Sequence, residues 1–136
     1  MAKHSVQEIL NATDRFAANT GCRVAEVSEQ HAVAEMTVTK EHLNAGGVCQ
    51  GGALFTLADL AMAALMNQQG NLTFGISSNV MFLSSAVEGD RLRAEAVPVN
   101  DHHRLPAIEV RVTNQDDRLI CHVTGIGYRK GVPLAK

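Results

Sequence analysis

The order of segments along this sequence predicts an α+β fold in which a curved antiparallel sheet wraps one long, apolar helix. Three observations lead there. A helical segment and a short hairpin come first, then a long helix, then strands with no further helix between them, which is α+β order. Residues 53–66, reading ALFTLADLAMAALM, hold mostly good helix formers with no Pro and no Gly. Their apolar side chains fall on every side of a helical wheel, so other structure must cover the helix all round.

Taken in order, Ser5 and Glu8 form a capping-box pattern, and Val6, Ile9, Leu10, Thr13, Phe16 and Ala17 keep helical spacing. One amphipathic helix ending near Gly21 is expected. Residues 24–27 are weakly strand-like, and Ala32, Ala34, Met36 and Val38 alternate with Glu35 and Thr37, so the two segments read as a hairpin. Gly51 and Gly52 open the central helix, and residues 68–73 form a loop. Residues 74–83 read as a strand with Gly75, Ser77, Asn79 and Met81 on one face and Ile76, Ser78, Val80 and Phe82 on the other. Ser77 and Asn79, sharing a face, are candidates to line a site, with plain edge-strand solvation as the equal alternative. Turns at Gly89-Asp90, residues 100–104 and residues 114–117 separate strands at 91–99, 108–113 and 118–128, and the tail after Lys130 is expected to be loose.

A chain of 136 residues is one domain of ordinary size, here 1–136, able to bury its own core. Its net charge of −2, with both signs interspersed, provides no basic stripe for nucleic acid. The opening Met-Ala-Lys-His carries no apolar run, so no secretory signal is expected. Residues 53–66 are too few to span a bilayer and include Asp59, so no membrane partner is expected. Cys22, Cys49 and Cys121 are odd in number and lack metal-ligand spacing, which points to a reducing, cytoplasmic compartment and to no metal. Cys49 has no visible base beside it and reads as a buried thiol. No Gly-x-Ser-x-Gly elbow or P-loop is present, and no cofactor is implied.

Asp59 is the only charge in the central helix. Inside a greasy helix a carboxylate costs free energy unless a cavity, a partner or a chemical role accounts for it. From the helix alone, a functional carboxylate and a solvated one sharing a thin polar stripe with Thr56 are equally good readings. The turn before it tilts the balance. Backbone N–H groups at a helix start lack intrahelical acceptors and sit at the positive dipole end, and Gly51 and Gly52 carry no side chain to block an approaching oxygen. Asp59 lies eight residues after Gly51, so the two are about 12 Å apart along one helix. A single carbonyl needs donor and attacking group each within about 3 Å. If both serve one substrate, they come from two copies of the chain, and the site lies at a dimer interface.

The run Asn44-x-x-Gly47-x-x-Gln50-Gly51-Gly52 followed by Leu57-x-Asp59 resembles the signature of the hotdog-fold thioesterases, in the branch of the phenylacetic-acid-degradation acyl-CoA thioesterases. The likeness extends through the Gly89-Asp90 turn to Gly127. It implies a hotdog fold and hydrolysis of a small aryl- or acyl-CoA thioester. It implies Asp59 as nucleophile or general base, the Gly51 N–H as donor to the thioester oxygen, and Asn44 as the residue that positions water or thioester. Gln50, Gly52, Ser77 and Asn79 are candidates for substrate contact. His103 and Arg104 are candidates for a nucleotide phosphate, because the family often places a Gly-Arg or Gly-Lys pair nearby. The separation of Gly51 and Asp59 predicts an obligate homodimer, with a dimer of dimers as the alternative assembly. The chain departs from the family at Gln50, where histidine is usual, and at Ala45 and Ser85, where proline is commoner. Glutamine can hydrogen-bond but holds no charge. That departure keeps a non-catalytic acyl-CoA sensor as the alternative. Hotdog dehydratases pair a histidine with an acid fourteen residues on, and Ala45 occupies that position relative to Asp59.

Overall fold

The computed structural model describes residues 5–135; the opening Met-Ala-Lys-His lies outside them. Two short helices, α1 (Val6–Thr13) and α2 (Arg15–Asn19), precede the hairpin β1 (Arg23–Ser28) and β2 (His31–Thr37). A 3-10 turn at Lys40–His42 leads to helix α3 (Gly51–Met66), followed by β3 (Asn71–Phe82), β4 (Arg91–Asn100), β5 (Ala107–Thr113) and β6 (Leu119–Pro133). The strands form one six-stranded sheet in the order β1-β2-β4-β5-β6-β3, every neighbouring pair antiparallel. This is the α+β hotdog arrangement that the sequence predicts.

Helix α3 lies in the concave face of the sheet. Leu57, Ala58, Ala61 and Ala64 are fully enclosed, packed with Val24, Ala34, Leu92, Val110 and Val123 from the strands. The cover is not complete, as an all-round apolar helix had suggested. Gly52 and Asp59 are exposed and Thr56 and Ala63 half-buried, a strip one helical turn apart left open along the side away from the sheet.

Two expectations need correction. The N-terminal helix is broken at Asp14, whose backbone (φ −81°, ψ 87°) leaves the helical region. Its Oδ1 accepts a hydrogen bond from the Ala17 N–H at 3.1 Å, so Asp14 caps a second helix in preference to continuing the first. The tail beyond Lys130 is ordered as well. Strand β6 continues to Pro133, opposite Asn71, and the Leu134 N–H bonds the Gly70 carbonyl at 2.7 Å.

Glycines set how closely α3 approaches β6. A Cβ built on Gly125 would lie 2.7 Å from Met62 Sδ, and one on Gly127 would lie 2.6 Å from Met66 Sδ and 3.0 Å from Thr73 Cγ2. The helix rests on bare backbone there. Gly127→Val is therefore expected to destabilise the protein by about 1–3 kcal/mol through overpacking, read as a lower urea midpoint at unchanged m.

The two edges of the sheet are treated differently. At β1, α1 covers the open backbone: Asn11 Oδ1 accepts from the Val24 N–H at 2.7 Å, Asn11 Nδ2 donates to the Val24 carbonyl at 3.0 Å, and Gln7 Nε2 donates to the Ala25 carbonyl at 3.1 Å. At β3, twelve residues of edge have no such cover among the described residues, and Phe74, Ile76, Met81 and Phe82 are exposed along it. Long, apolar, unprotected edges are templates for pairing with another chain.

Candidate active site

The loop from Leu43 to Cys49 is closed by a bridge between those two residues and by the Asn44 N–H bonding the Val48 carbonyl at 2.8 Å. Asn44 Oδ1 accepts from the Gly46 N–H at 2.9 Å and from the Val48 N–H at 3.3 Å, and Gly47 takes φ +80°, which glycine adopts without strain. Asn44 thus builds the turn with its oxygen, while Nδ2 has no partner among the described residues. The Gln50 N–H bonds the His42 carbonyl at 2.8 Å, and α3 starts at Gly51 with Gln50 as N-cap residue.

At that start the Gly51 and Gly52 N–H groups bond no described residue, and the Gln50 side chain makes no capping bond. Two donors at the positive end of a sixteen-residue helix are left facing out. Phe82 from β3 stands over Gly51, where a Cβ would lie 2.9 Å from its ring. The Gln50 amide bends over Gly52, with Oε1 2.7 Å from the place of a Cβ there. Beside this end runs a cleft of about 340 Å³ walled by Phe16, His42, Leu43, Gln50, Gly52 and Thr56. His42 fixes its floor: Nδ1 accepts from the Thr39 N–H at 2.9 Å, and Nε2 donates to the Thr20 carbonyl at 2.5 Å. Thr56 is spent locally, its hydroxyl bonded to the Gly52 carbonyl at 2.8 Å.

Two turns further on, Asp59 opens into a separate pocket of about 220 Å³ lined by Leu10, Asp14, Met62, Ala63, Gly75 and Ser78 among others. Asp59 has no hydrogen bond and no ion pair among the described residues. It reaches solvent on one side, yet its apolar surroundings push its carboxyl above the usual aspartate range, and the nearby Asp14 carboxylate adds to the rise. A carboxylate held this way is a better base than an ordinary surface aspartate.

The pocket draws on a different face of β3 from the one the alternation pointed to. A bulge between Gly75 and Ser77 resets the strand, so that Gly75, Ser78, Val80 and Phe82 pair with Gly127, Gly125, Val123 and Cys121 on the helix side. Ser77 and Asn79, paired with Ile126 and Thr124, lie on the convex face, away from Asp59. His103 and Arg104 lie in the exposed β4–β5 turn, where Arg104 Nη1 donates to the Arg129 carbonyl at 3.2 Å and its guanidinium lies 5.9 Å from the centre of the Tyr128 ring. The structure thus gathers Asn44, Gln50, Gly51 and Gly52 at one end of α3, puts Asp59 at its middle, and leaves Ser77, Asn79, His103 and Arg104 outside both pockets. Ser78, Phe82 and Asp14 went unsingled in the sequence; the Asp14 cap was the one signal there to find. Cys49 is buried and burial pushes its thiol up, as it pushes Cys22 up to about 12, which disfavours the reactive thiolate in both.

Comparison with known proteins bears on the fold and the family. Residues 46–121 match the thioesterase superfamily. A protein of Archaeoglobus fulgidus, provisionally named an esterase, is 37% identical over 124 residues, 91% of this chain and 80% of its own length. The acyl-coenzyme A thioesterase PaaI of Escherichia coli is 31% identical over 118 residues, 87% of this chain and 84% of its own. The solved structure of the E. coli PaaI protein from the phenylacetic acid degradation operon superposes with a TM-score of 0.89 at 29% identity, covering 93% of this chain and 91% of that one. With the sheet-wrapped helix, its bare N-terminal donors and its mid-helix aspartate already in place, these likenesses show that the chain belongs to the thioesterase superfamily, in its PaaI-type hotdog branch, and is a thioester hydrolase.

Proposed function

We propose that the protein hydrolyses the thioester of a small aryl- or acyl-CoA to the free acid and CoA, in the cytoplasm, as a homodimer with two shared sites. The observation that carries this reading is that one helix holds a Gly51 N–H and a raised-pKa Asp59, neither of which has a partner among the described residues. The thioester oxygen takes the Gly51 N–H, which strengthens its hold as the tetrahedral oxyanion forms. Asp59 either attacks the carbonyl carbon or takes a proton from the water that does, and the thiolate of CoA leaves. Asn44, whose Nδ2 has no partner among the described residues, positions the water or the thioester from the same helix end.

Because Gly51 and Asp59 are about 12 Å apart on one helix, the reading needs a second copy. The bare β3 edge suits it. On the helix side of β3, Gly75 lies by Asp59 and Phe82 lies by Gly51. Antiparallel pairing of two β3 strands about a twofold at Asn79, with the bulge at Ile76 taking up one residue, sets Gly75 opposite the partner's Phe82. Asp59 of each protomer then faces the partner's Gly51. Exposed Ile126 and Tyr128 on the convex side of that edge would join two dimers into a tetramer.

Gln50 stands beside the donor and its side chain bonds no described residue, so Gln50→His is expected to change kcat by less than about tenfold, the worth of one neutral hydrogen bond. A much larger rise, with a new pH dependence near neutrality, would mean that the charge of the usual histidine matters. The experiment that tests the reading as a whole is a panel of aryl-, short- and long-chain acyl-CoA esters assayed for free thiol. Hydrolysis of small esters supports it; tight binding of one with no hydrolysis of any gives the sensor alternative.

A further inference from the structure

Asp14 is the one titratable residue besides Asp59 among the described residues that line the Asp59 pocket. It reaches there because the chain breaks between α1 and α2 at this residue. One of its oxygens is committed to the Ala17 N–H at 3.1 Å, and the other has no partner among the described residues. No lysine, arginine or histidine is among the residues lining the pocket, and neither carboxylate forms an ion pair with a described residue. The remaining walls are largely apolar, with Leu10, Met62, Ala63, Met66 and Leu72. A recess whose described lining carries two carboxylates and no cation disfavours the phosphates of CoA, and Lys130 stands outside that lining with its ammonium 5.9 Å from the centre of the Phe74 ring, so the end of the substrate that enters is the acyl group. Apolar walls accept its hydrocarbon part, and a second negative charge brought in with it would meet two like charges in a partly desolvated space.

We infer that Asp14 is a specificity-determining residue, which makes the recess admit uncharged acyl groups and reject those ending in a carboxylate. The inference rests on the acyl-CoA reading above and adds the charge class of the acyl group to it.

The test compares kcat/KM for glutaryl-CoA and valeryl-CoA, which share a five-carbon chain and differ in a terminal carboxylate, in the wild-type protein, in Asp14→Asn and in Asp14→Ser. Asn and Ser both serve as N-caps, so the start of α2 is kept in either variant, and a melting curve for each confirms the fold. The wild type is expected to favour valeryl-CoA. Both variants are expected to raise the glutaryl-to-valeryl ratio at least about tenfold, the size of one close like-charge contact at an intermediate dielectric. A merely structural role would move both esters together and leave the ratio where it was, and that result overturns the inference. If the wild type hydrolyses valeryl-CoA and the ratio does not move, the charge filter alone fails. If it hydrolyses glutaryl-CoA and not valeryl-CoA, the filter fails and the acyl-CoA reading stands; if it hydrolyses neither ester, the acyl-CoA reading fails and the filter with it.

Discussion

Asp59→Asn is expected to lower turnover of a small acyl-CoA ester at least about 100-fold, the usual cost of losing a general base or nucleophile. The side chain makes no hydrogen bond or ion pair among the described residues, so the substitution breaks no visible structural contact. Linkage gives the same variant a second signature. Burial, and then Asp14, raise the folded-state pKa of Asp59 above its unfolded value. The ionised form therefore costs stability above that raised pKa, and the cost is relieved as pH falls through it toward the unfolded value. At neutral pH the neutral asparagine is thus expected to leave Tm unchanged or slightly higher, where a structural aspartate would lower it. In the wild type, kcat/KM should fall on the acid side at a pH above the ordinary aspartate range, because protonated Asp59 is neither base nor nucleophile. Near-full activity in Asp59→Asn would remove Asp59 from the chemistry.

Gly51→Pro is expected to cost about 10²–10³ in kcat, as the loss of an oxyanion donor does. The substitution deletes the Gly51 N–H and adds a ring at that position. Gly51 is the first helical residue, where proline is well tolerated because its missing donor has no intrahelical acceptor. Gln50 already holds φ −64° and ψ 140°, a conformation suited to the residue before a proline. Crowding is the confounder, since any Cβ at this position comes within 2.9 Å of the Phe82 ring. Gly51→Ala brings the same Cβ and keeps the N–H, so it serves as the comparison. If Ala and Pro lose activity equally, the effect is steric and Gly51 is no oxyanion donor.

The fold and the two ends of the central helix were legible because they rest on local signals. Gly-Gly followed by an unbroken run of helix formers marks where α3 begins, and period-two alternation marks β2, β4 and β5. Asp59 stood out because a charge in that run has few inexpensive explanations. What escaped depends on choices between near-equal local energies or on pairing with distant residues. The N-terminal periodicity runs through Asp14 unchanged, and only the competition between continuing one helix and capping another breaks it there. The bulge at Ile76 comes from register against β6, which single-strand alternation cannot carry, and it exchanged Ser77 for Ser78 beside Asp59. The tail orders because β3 begins at Asn71, earlier than its apolar pattern, and gives residues past Lys130 a partner.

The central claim is that Asp59 of one chain and Gly51 of another act on one carbonyl, and a mixed dimer tests it most directly. A chain carrying Asp59→Asn and a differently tagged chain carrying Gly51→Pro are each expected to be nearly inactive alone. Purified through both tags, their hybrid dimer holds one site with both groups intact, the Gly51 of the first chain and the Asp59 of the second. The shared-site arrangement predicts about half the turnover of a wild-type dimer, one working site of two. A hybrid no more active than either parent, at matched fold and dimer content, would contradict it.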